Sequence, residues 1–132
     1  MRRIVMGSMI VAALIAASVP LMAHHSFAAE FDSTKPLKMT GVVTKIDWTN
    51  PHVWFYIDVK DEGGKVNSWG FEMGPPHLLQ GQGWTRTTMK LGDTVTVQGT
   101  AAKNGSNRGN ARSVTTPDGK RLGAASSEGQ QQ

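Results

Sequence analysis

Between Gly41 and Lys60 the chain reads GVVTKIDWTNPHVWFYIDVK, and this stretch restricts the fold more than any other. In its second half the side chains alternate: Val53, Phe55, Ile57 and Val59 leave one face, and His52, Trp54, Tyr56 and Asp58 the other. Successive side chains of a strand point to opposite faces, so a period of two over this length predicts a half-buried strand. The aliphatic side is the core side. The other side is unusual, because a solvent face ordinarily carries Lys, Thr or Glu, and this one carries His, Trp and Tyr.

Reading outward from this stretch gives a series of short strands. The first is expected over Leu37 to Trp48, with a bulge or bend at Gly41. Asn50-Pro51 makes the corner before the second strand, because the residue ahead of a proline is pushed out of the helical region. Asp61-Glu62-Gly63-Gly64 is a hairpin loop in which the glycines tolerate positive φ. Lys65 to Met73 is the third strand, with Asn67, Trp69, Phe71 and Met73 on one face. Gly74-Pro75-Pro76 stops it, and a short helix over His77 to Gln82 ends at Gly83. Leu91-Gly92-Asp93 turns into a fourth strand, Thr94 to Gly99, with Val95 and Val97 inward. After a polar loop at Lys103 to Asn110, a last strand runs from Ala111 to Thr116 and continues through Pro117-Asp118-Gly119 to Leu122.

Three strands, a short helix and two strands make an all-β domain. That order is the order of a small five-stranded OB-like barrel with its helix between strands three and four; an open sandwich or a meander sheet fits the strands alone. The expected organisation is an N-terminal segment at 24–36, a barrel domain at 37–122 and a disordered tail at 123–132. The tail's GAASSEGQQQ offers little apolar surface to bury.

The first 23 residues stand apart. Arg2 and Arg3 precede an apolar run from Ile4 to Ser18, and Pro20-Leu21-Met22-Ala23 offers a small residue at the cleavage position. This is the plan of a secretory signal peptide, too short for a permanent span. It predicts a periplasmic protein that begins at His24; a competing site after Ala28 lies farther from the apolar run. Of 14 basic and 10 acidic side chains, Arg2 and Arg3 belong to this segment, so the mature chain is only mildly basic and nucleic acid is not an expected partner. With no cysteine there is neither a disulfide framework nor a thiolate metal site. One hydrophobic core, well supplied by Trp48, Trp54, Trp69 and Trp84, must hold the domain.

A histidine in first place presents an α-amine and an imidazole on one residue, and the two chelate a single ion through Nδ1. The amine titrates near 7.7–8.0, so it gives up its proton readily at neutral pH. Copper(II) suits such a nitrogen set. His25 adds a second imidazole, and His52 is the candidate to complete the site; a flexible, exposed His24-His25 end is the plainer alternative. His52 also has a structural alternative, a bond to the corner backbone at Thr49 or Asn50. Trp54, Tyr56, Trp69 and His77 are candidate ligand contacts, with Trp54 and Trp69 expected as cross-strand neighbours. The acids form no recognisable catalytic pair, Ser26 has no partnered base, and no glycine-rich phosphate loop follows a strand. The expectation is a non-enzyme that binds a metal ion or small ligand. The alternative is an interaction module that docks an envelope partner on its aromatic face.

Five stretches carry a resemblance: HHSF at 24–27, WTNPH at 48–52, QGW at 82–84, T-x-x-L-G-D at 88–93 and TPDG at 116–119. Together they resemble a family of small exported bacterial proteins classed as a domain of unknown function. That likeness implies export and a single domain without implying an activity. GVVTKID at 41–47 is similar, more weakly, to the first strand of periplasmic OB-barrel copper chaperones. This likeness implies a copper(I) set of Met73, His52 and Trp69, although the closely spaced methionine pair of those proteins is missing.

Overall fold

The computed structural model describes residues 27–130. One helical turn, α1 (Phe27–Glu30), leads directly into the long strand β1 (Phe31–Asp47). There follow β2 (Trp54–Lys60), β3 (Val66–Glu72), the helix α2 (Pro76–Gly81), β4 (Thr94–Ala102), β5 (Arg108–Thr115) and β6 (Arg121–Gly123). A 3-10 turn at Ser127–Gln130 ends the described chain.

The six strands form one sheet in the order β3-β2-β1-β4-β5-β6, and a further parallel pairing of β3 with β5 closes five of them into a barrel-like ring. The strand β1 serves both sides of this ring. Its first part, Phe31 to Val42, pairs with β4, and its second, Val42 to Asp47, pairs with β2. The changeover falls at Val42, with the bulge between Val43 and Lys45 rather than at Gly41; at Gly41 a Cβ would lie 2.5 Å from the carbonyl oxygen of Asp58, so only glycine permits this approach. Closure has the same requirement at Gly109, whose Cβ would come within 2.9 Å of both the Phe71 ring and the Thr100 carbonyl.

The ring encloses the aliphatic and aromatic faces predicted from alternation. Val53, Phe55, Ile57, Phe71, Val97 and Val114 have no exposed surface, and Trp84 from the α2–β4 connection closes the same core. Phe55 and Phe71 stack across β2 and β3 with centroids 5.6 Å apart. The helix α2 begins at Pro76, one residue before the expected start, and buries Leu79, and Gly83 follows it at φ 96°. In the hairpin after β2, Asp61 Oδ1 accepts bonds from the backbone N–H of Gly63 and of Lys65, each at 2.9 Å. The Asp61 carboxylate therefore shapes the turn as well as keeping it wet.

Three expectations about extent are corrected. Residues 31–36, assigned to a segment before the first strand, belong to β1. Phe31 is buried beside Phe27, and a register shift between Asp32 and Pro36 absorbs the proline. The last strand starts at Arg108, inside the expected polar loop, because residues 108–110 pair with β3. The stretch from Gly123 is packed where a free tail is expected. Ala124 is wholly buried, its carbonyl accepts from Gly74 N at 2.9 Å, and Arg112 forms a two-pronged ion pair with Glu128.

Candidate functional site

The outward face of β2 comes together with the end of β3, the start of β5 and the helix α1. Trp54 pairs with Glu72 across β2 and β3, and Tyr56 pairs with Gly70. His52, just ahead of β2, turns its Nδ1 toward Glu72 Oε2 at 3.9 Å, and its side chain is 32% exposed. That distance is too long for a hydrogen bond. It is an ion-pair distance once the imidazole carries a proton. The backbone bond at Thr49 or Asn50 expected for a structural His52 is not formed; Thr49 N bonds to Asp47 O instead.

Glu72 is the residue at this end that the sequence did not mark. It is 7% exposed, and Asn110 Nδ2 donates to its Oε1 at 3.3 Å. Asn110 is itself fully buried, and its Oδ1 accepts from the hydroxyl of Ser126 in the returning tail. Burial raises the Glu72 carboxyl from 4.5 to about 7, with the negative charge of Glu30 adding to the rise and the Asn110 bond opposing it. A carboxyl whose hold on its proton is raised toward neutrality can keep that proton or, once ionised, offer an oxygen to a cation. The sequence shows only that Glu72 lies on the face away from Phe71; the parallel β3–β5 closure that buries it depends on residues nearly forty positions later.

Trp54 stands over the same group. It packs against the small cluster of Phe27, Phe31 and Ala102, and the Arg108 guanidinium lies 5.4 Å from its ring centroid. Lys45 covers Tyr56 at 5.3 Å. The His52/Trp54/Tyr56 face therefore exists as predicted, with both rings partly covered by cations.

Other candidates lie elsewhere. Trp69 pairs with Ile57, stacks on Phe71 at 6.2 Å between centroids and packs against the main core, so it is not a neighbour of Trp54. The reason is strand parity: Trp54 and Trp69 sit on opposite faces. His77 is exposed on α2 and makes no hydrogen bond or ion pair with His52, Trp54 or Tyr56. The copper(I) set of Met73, His52 and Trp69 is not assembled. Met73 is only 2% exposed within the core, whereas His52 faces Glu72 on the other side of the sheet. His24 and His25 lie outside the described residues. Among the described residues no group of three or more His, Asp or Glu side chains is arranged to hold a metal ion.

Fold and site together define a small all-β domain with a barrel-like ring and, at one end, a buried acid beside a part-exposed imidazole. The chain belongs to a family of unknown function (DUF6152), whose profile matches residues 12–112. The match takes in HHSF, WTNPH, QGW and T-x-x-L-G-D and stops short of TPDG. A search of curated proteins finds no match.

Proposed function

We propose that the protein is an exported, periplasmic binding domain that holds a copper(II) ion at its mature N-terminus without transforming a substrate. The α-amine and Nδ1 of His24 supply the chelate, and His25 and His52 supply further nitrogens. One observation carries the reading: α1 is docked on Trp54, on the face that holds His52 and Glu72. Covalent geometry then keeps His25, two residues ahead of Phe27, within about 7 Å of it, and His24 within about 11 Å. That reach supports a shared neighbourhood for nitrogen donors from HHSF and WTNPH.

Export with cleavage after Ala23 fits the same packing. Phe27 is 5% exposed and belongs to the cluster that covers Trp54, so cleavage after Ala28 would remove part of the folded domain. The interaction-module alternative, with His52, Trp54 and Tyr56 as a docking face, has less support. Phe27, Arg108 and Lys45 already cover the two rings.

Calorimetry on protein that begins at His24 tests the reading, compared with the same protein acetylated on its α-amine. Acetylation removes one chelating nitrogen and leaves the fold alone. The expected result is one tightly bound Cu(II) in the free-amine form and at least a hundredfold weaker binding after acetylation. Equal affinities would refute it.

A further inference from the structure

The remaining sequence stretches, QGW, T-x-x-L-G-D and TPDG, converge at the far end of β5 from Asn110. There the α2–β4 connection and the β5–β6 turn enclose a cleft of about 370 Å³, whose walls include Thr88, Lys90, Asp93, Asp118, Lys120 and Leu122. Its two carboxylates are held by main chain rather than by the lysines beside them. Lys90 N donates to Asp93 Oδ2 at 2.9 Å, and Lys120 N donates to Asp118 Oδ1 at 3.0 Å. The Thr116 hydroxyl also donates to Asp118 and, with the backbone bond, holds that carboxyl below the usual aspartate range. The ammonium groups of Lys90 and Lys120 make no ion pair among the described residues. Two cations and two anions thus line one cleft without neutralising one another directly.

We propose that this cleft binds a small zwitterion, a free amino acid or a dipeptide. Its carboxylate is received by Lys90 and Lys120, and its ammonium by Asp93 and Asp118. The charge arrangement decides the class. A compact polyanion would meet both carboxylates, a simple cation would meet both lysines, and an apolar molecule would find little beyond Leu122 and Pro117. The volume lies near the lower limit of small-molecule pockets, roughly 300–1,000 Å³, which suits a ligand of this size. Solvent-exposed charge pairs are individually weak, so the expected affinity is modest, with Kd on the order of 0.1–1 mM. This site is separate from the proposed copper site and does not depend on it.

Amide-detected NMR titration of the full mature chain tests the proposal, with four probes: alanine, glycylglycine, N-acetyl-glycylglycine amide and inorganic phosphate. Saturable shifts at Thr88, Asp93 and Asp118 with alanine or glycylglycine are expected, and none with the capped peptide. The Lys90→Gln/Lys120→Gln double variant is expected to bind at least tenfold more weakly at an unchanged melting temperature, since neither lysine side chain makes a structural bond. Absence of saturable shifts, equal binding of the capped peptide, or equal binding of phosphate would each overturn the proposal.

Discussion

Replacing Glu72 by glutamine preserves the shape of the side chain and an oxygen to accept the Asn110 amide, and removes the titration. In the wild type the folded carboxyl holds its proton until about pH 7, against 4.5 for an ordinary glutamate. Below about pH 4.5 the acid is protonated in both the folded and the unfolded chain, and burial carries no ionisation penalty. Between there and pH 7 the unfolded chain releases the proton while the folded one retains it, so stability falls as pH rises. Above pH 7 both forms are ionised and the penalty stays constant. At about 1.4 kcal/mol per pH unit the full effect is about 3 kcal/mol, an upper value because solvent screening discounts the charge of a group that is not fully buried. Urea denaturation of wild type and Glu72→Gln at pH 4, 5.5, 7 and 8 measures it. The variant is expected to gain on the wild type by up to about 3 kcal/mol between pH 4 and pH 8, with m-values unchanged. The lowered Asp32 and Asp118 carboxyls act in the opposite sense at acid pH, but they are common to both proteins and cancel in the difference. Parallel pH profiles would refute the picture of a buried acid at this end of the ring.

Other predictions follow from the packing. Phe27→Ala opens the cluster over Trp54 and is expected to cost about 3 kcal/mol or more in urea denaturation, with a red shift in tryptophan emission. Gly109→Ala forces a Cβ against Phe71 and the Thr100 carbonyl where β3 meets β5; a loss of about 2 kcal/mol or more in thermal unfolding is expected. Deleting residues 124–132 removes buried Ala124 and Ala125 and the Gly74–Ala124 backbone bond, and is expected to cost about 2–4 kcal/mol, whereas removal of a free tail would be neutral.

The core of this fold was legible because alternation is local. Val53, Phe55 and Ile57 announce their face within a few residues of one another, and Gly63-Gly64 and Pro75-Pro76 mark their own turns. What escaped the sequence is what distant segments do to one another. Phe31 to Pro36 shows no period, yet β4 supplies the backbone partners that make it a strand. The tail has little apolar surface, yet it packs because it is small. Ala125 lies against Gly74 so closely that a Cβ there would meet its carbonyl oxygen at 2.3 Å. Glu72 lies on the face away from Phe71, and the β3–β5 pairing, with Asn110 and Ser126, covers it there. The distance between Trp54 and Trp69 was legible in principle, since the register Ile57 to Trp69 follows from the hairpin length.

The most direct test of the account is native mass spectrometry of the exported protein, purified untagged and without chelator, before and after one equivalent of Cu(II). The account predicts a chain that starts at His24 and carries a single copper ion through the folded charge states. A chain that starts at Ala29, or one from His24 that leaves the added copper unbound, would contradict it.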